Sequence, residues 1–222
     1  MGVKKRKSET AVRLRAAVFL LLAGLVLPLL LPHGERLVVP PGVEDLLSAT
    51  LAGETDPARI AYVQTACGLV GRVSYFWGGK SEAVGWDDRW GMKCKVTSPG
   101  SAETGARLPF GLDCSGFTAW AAGTSAGDPS AGREVGACVR DQWARCVPTE
   151  TPRPGDLAFF PDLSHVGIVL GRGEGETLYI VHCAYSRGGV VVTGADVGFA
   201  QFGTPTIFQS LELSCVPGGK RV

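Results

Sequence analysis

The sequence lacks an excess of charge of either sign, and this excludes one class of partner. Its 222 residues include 22 Lys and Arg against 21 Asp and Glu, a formal net charge of +1 at pH 7. Six of the basic residues but only one acid fall within residues 1–15, so the rest of the chain holds 16 basic and 20 acidic residues. A mildly acidic body has no concentrated positive surface to bind a phosphate backbone. We therefore expect no nucleic-acid partner.

A cleavage site is missing after the one long apolar run. Residues 1–15 form a basic head, and residues 16–32 (AAVFLLLAGLVLPLLLP) are apolar. As a helix this run would span about 25 Å, close to the ~30 Å hydrocarbon core of a membrane. Because no small-x-small cleavage site follows, we favour an uncleaved anchor over a signal peptide. The basic head then stays cytoplasmic and the body lies outside, anchored in the cell membrane by a single pass. If the segment is cleaved, the body is secreted.

The seven cysteines include no Cys-x-x-Cys pair. A zinc site from Cys114, His165, His182 and Cys183 is the metal alternative, but these spacings match no common ligand pattern. We therefore expect no metal and no other cofactor. Outside the cytoplasm thiols tend to pair, so an odd count leaves one over. If Cys114 is the free thiol, the other six allow up to three disulfides, but counting alone cannot select Cys114.

Helix signals occupy the first half of the body, after a stalk at residues 33–55 whose segment 37–44 (LVVPPGVE) is expected to be an extended tether. Asp56 and Pro57 are suited to the N-cap and first position of a helix over residues 56–73. Its expected core-facing stripe consists of Ile60, Val63, Cys67 and Val70. A second helix is predicted to begin at Cys114 and to end at Gly123. A weaker third lies within residues 136–147.

Strand signals follow after residue 156. Short β-rich runs separated by turn residues lie at 157–160, 165–171, 178–184, 189–193 and 206–213. Helices first and strands afterwards favour an α+β fold, with helices packed on an antiparallel sheet. No internal repeat or second domain is visible, so residues 56–215 are predicted to form one domain.

The chain has few histidines, which limits the possible chemistry. His33 adjoins the apolar run, so a cysteine nucleophile must find its base in His165, His182 or both. Each of these two histidines also has a purely structural explanation. His165 can be a polar residue at a sheet edge, and His182 can be a core histidine with satisfied hydrogen bonds. Two consecutive strands could instead place the imidazoles side by side. Cys114 at a helix N-terminus is expected to have a lowered pKa.

Five ordered motifs give the sequence a family resemblance. YFWGG, LDCSGF, RPGDLAFF, SHVGIVLG and YIVHCA occur in this order within about residues 56–213. In this combination the sequence closely resembles the NlpC/P60 cysteine peptidases of bacterial cell-wall turnover. The resemblance implies a papain-like α+β core whose nucleophile opens a helix packed on an antiparallel sheet.

The resemblance also implies site residues and a reaction. Cys114 matches the nucleophile, His165 the general base and His182 the polar residue that orients the base. Tyr75 matches a tyrosine that lines the active site. Asp113 and Ser115 match the flanking residues that help to seat the peptide, and the glycine that follows them is expected to allow close helix packing. The implied reaction is hydrolysis of amide bonds in peptidoglycan stem peptides, typically beside γ-D-glutamyl, and it needs no metal.

The segment at residues 80–112 departs from the family pattern because it is longer than is usual. It shows neither helical nor strand periodicity, and loops of this length are commonly functional or disordered. At least one of Trp86 and Trp90 is expected to pack on the groove wall or the substrate, and a disulfide from Cys94 would fix the segment.

Three alternatives to a peptidase of stem peptides stay open at this stage. A related thiol amidase would cut the bond between sugar and peptide with similar Cys/His groups. A thiol acyltransferase acting on lipid would make use of the membrane anchor. An inactive wall-binding or scaffold module would carry Cys114 in a disulfide.

Overall fold

In a computed structural model that describes residues 41–208, a layer of helices packs against one large antiparallel sheet. The helices are α1 (Pro41–Leu51), α2 (Pro57–Cys67), α3 (Cys114–Ala126), α4 (Pro129–Val135) and α5 (Val139–Ala144). Short 3-10 turns occupy Glu174–Glu176, Tyr185–Arg187 and Ala195–Val197. No helix within residues 41–208 is long and apolar enough to cross a membrane. The predicted head at 1–15 and anchor at 16–32 lie outside the described residues.

Six strands form the sheet, and every neighbouring pair is antiparallel. They are β3 (Cys146–Pro148), β4 (Leu157–Phe159), β5 (Val166–Arg172), β6 (Leu178–Ala184), β7 (Gly189–Gly194) and β8 (Gln201–Pro205). Across the sheet their order is β3-β8-β4-β5-β6-β7. The predicted antiparallel α+β architecture is confirmed. Strands β4 to β7 also confirm the predicted strands to within one residue at each end.

Helix α2 starts where its capping residues predict and ends earlier than expected. The carboxylate of Asp56 accepts a hydrogen bond from the Ala58 N–H, and Pro57 is the first helical residue. The predicted extension to residue 73 is wrong, because the helix ends at Cys67 and Gly71 has a left-handed φ of 72°. The predicted core-facing stripe is only partly buried. Within it Val63 and Cys67 are buried, but Ile60 and Val70 are half-buried. Three residues outside the stripe are also buried: Arg59, Tyr62 and Ala66.

Helix α3 is the central helix and packs against α2, α4, β5 and β6. It begins at Cys114 as predicted, but it runs through Gly123 to Ala126 and is capped by Gly127 in the left-handed region. The predicted end at Gly123 is therefore wrong. A Cβ at Gly123 would lie 3.1 Å from the Pro129 Cα, so this glycine allows α4 to approach rather than ending the helix.

Two other predictions fail at the edges of the domain. The expected tether is helical from Pro41 onward, because Leu47 of α1 joins the hydrophobic core and α1 packs on β5. The strand expected at 206–213 is wrong in its first three residues, because residues 206–208 are helical and follow the strand β8 (Gln201–Pro205). Residues 209–213 lie outside the described part. The weaker third helix is present as α5, followed by the short strand β3.

The segment at residues 80–112 is ordered on the body of the domain rather than structureless. It contains a two-stranded hairpin of β1 (Lys93–Lys95) and β2 (Arg107–Pro109). Trp90 is buried and its ring lies 5.2 Å from that of Trp120 on α3, while Trp86 packs edge-on against Trp90 at 4.9 Å. The segment is thus fixed by aromatic packing on α3, the helix that begins at Cys114. The disulfide suggested for Cys94 is not formed with any described cysteine.

The six described cysteines all carry free thiols: Cys67, Cys94, Cys114, Cys138, Cys146 and Cys183. Within residues 41–208 the possible disulfides are therefore not formed, and Cys215 lies outside this range. No group of three or more His, Cys, Asp or Glu side chains in the described residues could hold a metal ion.

Candidate active site

The local sequence around Cys114 places its thiol at the N-terminus of α3. Asp113 is the N-cap, in extended conformation, and its carboxylate accepts a hydrogen bond of 2.7 Å from the Gly116 N–H. A Cβ at Gly116 would lie only 2.1 Å from the Gly79 carbonyl oxygen. Gly116 therefore allows close packing, but of the backbone at Gly79 rather than of a second helix.

The Cys114 thiol is almost completely buried, with 7% of the residue exposed. Burial raises its pKa to about 11, and the negative charge of Asp113 adds to this effect. Hydrogen bonds from the backbone N–H groups of Val166 and Ser115, and the positive charge of Lys80, act in the opposite direction. The lowered pKa expected from the helix N-terminus is therefore wrong for this site, because desolvation outweighs the favourable dipoles. The resting thiol is protonated at neutral pH.

The two histidines of the body lie side by side, as the consecutive strands suggested. His165 immediately precedes β5 and His182 lies within β6, and His165 Nε2 is 2.7 Å from His182 Nδ1. His182 Nε2 lies 3.1 Å from the hydroxyl oxygen of Thr193 on β7. A Cβ on Gly167 would come within 2.9 Å of the His182 Cβ, so glycine at this position leaves room for the imidazole.

The imidazole pair lies in an aromatic environment that keeps it neutral. The ring of Phe199 packs 5.6 Å from that of His165 and 5.2 Å from that of His182, and Phe160 lies 5.0 Å from His165. Burial lowers the pKa of His165 to about 4. Burial, together with the neighbouring His165 and Arg187, lowers the pKa of His182 to about 3. Both rings are therefore neutral near pH 7.

The helix that begins at Cys114 packs on β5, the strand that His165 immediately precedes. The backbone N–H of Val166, the residue directly after His165, is among the groups that lower the pKa of the Cys114 thiol. Tyr75 is also close, because burial and then the charges of Cys114 and Asp113 raise the pKa of its phenol. Its ring packs edge-on against the exposed ring of Tyr185 at 5.5 Å. Tyr75 therefore lies beside the thiol.

The side chains of Asp113 and Ser115, the two residues implied to help seat the peptide, are hydrogen-bonded to Lys80 and to each other. Lys80 Nζ donates to Asp113 Oδ1 at 2.7 Å and to Ser115 Oγ at 2.6 Å. Ser115 Oγ in turn donates to Asp113 Oδ1 at 3.0 Å. The Asp113 side chain is 13% exposed, whereas that of Lys80 is 42% exposed. Of this ion pair beside Cys114, the more exposed side chain is thus that of Lys80.

Sequence reasoning missed Lys80 and Thr193. Lys80 opens the long segment without a motif, and only its position after YFWGG could have drawn attention to it. Thr193 ends the β-rich run GVVVT, where threonine is an ordinary strand residue. Its position next to His182 depends on the pairing of β6 with β7, in which His182 is opposite Val191 and Thr193 is opposite Ile180.

Comparison with known proteins adds an independent finding. The sequence model of the NlpC/P60 family matches residues 71–195, more than half of the chain, and this match includes Cys114, His165 and His182. No curated protein matches the sequence. The six-stranded antiparallel sheet with its helices is consistent with the fold of this family. The family consists typically of cell-wall peptidases that use a cysteine. From the extent of the match we conclude that the chain belongs to the NlpC/P60 family.

Proposed function

We propose that the protein is a cysteine peptidase that hydrolyses amide bonds in peptidoglycan stem peptides, at a bond beside γ-D-glutamyl. One observation carries the proposal: His165, His182 and Thr193 form a hydrogen-bonded chain within the domain whose central helix begins at the buried Cys114 thiol. A thiol, a neutral imidazole and a group that orients the imidazole are the components of nucleophilic acyl transfer. Membership of the NlpC/P60 family supports this class of substrate.

The hydrogen-bonded chain supports one productive arrangement of protons. If His182 Nε2–H donates to the Thr193 hydroxyl, His182 Nδ1 is an acceptor and receives the Nε2–H of His165. His165 Nδ1 then carries a lone pair and can take the proton of the Cys114 thiol. In the opposite arrangement His165 Nδ1 carries a proton and cannot act as a base. His182 and Thr193 thus serve to fix the tautomer of His165.

General-base catalysis follows from the neutral state of both partners. As His165 Nδ1 takes the proton, the Cys114 sulfur attacks the amide carbonyl, and the backbone N–H groups at the start of α3 stabilise the oxyanion. The protonated His165 then gives its proton to the leaving amine, which breaks the C–N bond and leaves a thioester. Water, deprotonated by His165, attacks the thioester carbonyl and releases the peptide acid and the thiol.

The substrate class also bears on location, because peptidoglycan lies outside the cytoplasm. The basic residues 1–15 and the apolar residues 16–32 support an exported body held by a single membrane anchor. Protease added to intact wall-less cells should digest the body and leave a small anchored remnant. Protection of the whole body would contradict this topology, and a soluble shortened product would favour a cleaved signal peptide.

Digestion of purified peptidoglycan by the full chain, followed by mass spectrometry of the fragments, tests the activity. We expect new amino termini within the stem peptides, lost in the Cys114→Ala and His165→Ala variants and retained in the matched control Cys138→Ala, whose cysteine is exposed. His182→Ala should retain more activity than His165→Ala, because water can partly replace a group that orients the base.

The products distinguish this proposal from its alternatives. Release of whole stem peptides from the sugar would indicate an amidase, and acyl transfer without new amines would indicate an acyltransferase. If the wild-type chain binds the wall without cutting it, the protein is a binding module and the proposal is wrong.

A further inference from the structure

Lys80 has a position that the mechanism above does not use. Its ammonium bonds to Asp113 and Ser115, the two residues on either side of the nucleophile, and its side chain is 42% exposed. An ammonium has three N–H donors, and these two contacts use two of them. One donor is thus not used by these two contacts, and the side chain that carries it is partly exposed.

The backbone holds Lys80 firmly in this place. The Asp113 N–H donates to the Gly79 carbonyl at 3.1 Å, and the Gly79 N–H donates to the Phe76 carbonyl at 2.8 Å. A Cβ at Gly79 would lie 2.3 Å from the Gly111 carbonyl oxygen, and one at Gly116 would lie 3.0 Å from the Lys80 Cδ. The segment before Lys80 is therefore packed directly on the start of α3, and little freedom remains to be lost when a ligand binds.

Beside Lys80 a cavity of about 370 Å³ opens between α3, α4 and α5. Its floor is built from small and apolar residues, including Gly116, Ala119 and Trp120. The other cations on its rim are in exposed ion pairs, Arg133 with Glu82 and Arg145 with Asp141. Among the cations that the described residues place on this rim, Lys80 is the one that contacts Asp113 and Ser115.

The charges around Lys80 disfavour a cationic substrate group and favour an anionic one. Without Lys80, the Asp113 carboxylate and the Ser115 hydroxyl would attract a substrate cation. The carboxylate, however, already binds the Lys80 ammonium and the Gly116 N–H. The pair has no net charge, but its more exposed member is Lys80, whose unused N–H at the positive end of α3 favours an anionic acceptor. A γ-linked D-glutamyl residue has such an anion, because its α-carboxylate stays free a few bonds from the amide at its side chain.

We propose that Lys80 binds a substrate carboxylate beside the scissile amide and thereby determines specificity for a free α-carboxylate over a carboxamide. The proposal rests on the proposed function, since it assumes a stem peptide bound at Cys114. The third N–H of Lys80 donates to the carboxylate, while Asp113 and Ser115 hold the ammonium in position. A carboxamide in the same place loses the charge attraction.

Binding to the Cys114→Ala variant of the full chain tests this without requiring cleavage. The probes are two synthetic stem tripeptides, one with γ-linked D-glutamate and one with the same residue amidated at its α-carboxylate, and the measurement is calorimetric affinity. We expect the carboxylate peptide to bind about five- to tenfold more tightly, because charge-assisted hydrogen bonds are strong but Lys80 is partly screened by solvent. Adding Lys80→Met should reduce this ratio to within about twofold of one.

Two further variants show whether the effect comes from the charge. Lys80→Arg keeps a cation and should keep most of the preference, and Lys95→Met removes an exposed lysine of β1 and should leave it unchanged. Equal affinities for the two peptides, no binding of either, or a preference that survives Lys80→Met would overturn the proposal. A clear preference in a wild-type chain that cuts neither peptide would instead refute the peptidase activity alone.

Discussion

Replacing Asp156 by Asn should destabilise the domain strongly, because it breaks a buried ion pair that joins α2 to the sheet. Arg59 and Asp156 are each 1% exposed, and Arg59 Nη1 donates to Asp156 Oδ1 at 2.8 Å. The same carboxylate accepts hydrogen bonds of 2.8 Å from the Thr204 hydroxyl and from the Arg153 N–H. An amide has only one acceptor oxygen, so its NH₂ group must face one of these donors.

The magnitude follows from the burial of both partners. Removing one charge of a buried pair costs about 3–5 kcal/mol, because the other charge is left without compensation. For a domain of this size each kcal/mol lowers the melting temperature by about 2–4 °C, so the expected decrease is roughly 6–20 °C. Arg59 would keep a hydrogen bond to the Pro154 carbonyl, the face of the Phe208 ring and an ion pair with Asp56, but the Asp56 carboxylate lies 3.9 Å from Arg59 Nε and compensates the buried charge only partly.

Thermal unfolding followed by circular dichroism measures this effect. The matched control is Asp162→Asn, because Asp162 is exposed and accepts hydrogen bonds from Ser164 only two residues away. The control should melt within about 2 °C of the wild type, as is usual for surface substitutions. If Asp156→Asn also melted within this range, the pair would not stabilise the fold and the argument from burial would be refuted.

Three further predictions concern the site and the segment beside it. Thr193→Val should lower kcat about three- to tenfold with little change in KM, because it removes one hydrogen bond to His182; an unchanged kcat would contradict the tautomer argument. Because burial lowers the pKa of His165 to about 4, kcat/KM should persist at pH 5–6 and fall only as protonation of the imidazole sets in near pH 4; a fall near the ordinary histidine pKa of 6.5 would refute this. Trp90→Ala should lower the free energy of unfolding in urea by about 3–5 kcal/mol, because it empties the buried space against Trp120; a loss below 1 kcal/mol would mean that the segment is not part of the core.

Local chemistry was sufficient to predict where α2 and α3 begin and where β4 to β7 lie. Asp56 and Asp113 cap α2 and α3 because a carboxylate there accepts from the first turn of the helix, and this depends only on neighbouring residues. The β-branched runs of β5 to β7 likewise predict strands without knowledge of the rest of the fold. The ordered motifs around Cys114, His165 and His182 identified the family, and the match over residues 71–195 confirms it.

Helix ends and chain edges could not be predicted in this way, because tertiary packing decides them. Gly123 resembles a helix end in sequence, but the close approach of α4 requires a glycine inside the helix. Pro41 resembles part of a tether, yet it begins α1 because Leu47 can be buried in the core. In the same way, nothing local shows that Trp90 would pack on Trp120.

By itself the sequence determined the fold class and the set of candidate groups: a cysteine at a capped helix start and two histidines on consecutive strands. Only the tertiary structure decided the pKa values and the hydrogen-bond partners of these groups. Burial raises the pKa of Cys114 and lowers that of His165, although the helix N-terminus alone predicts a more acidic thiol. Strand pairing places Thr193 against His182, and chain packing places Lys80 over Asp113. The reason is physical: desolvation and charge neutralisation depend on what surrounds a group in space, and residues distant in sequence supply those surroundings.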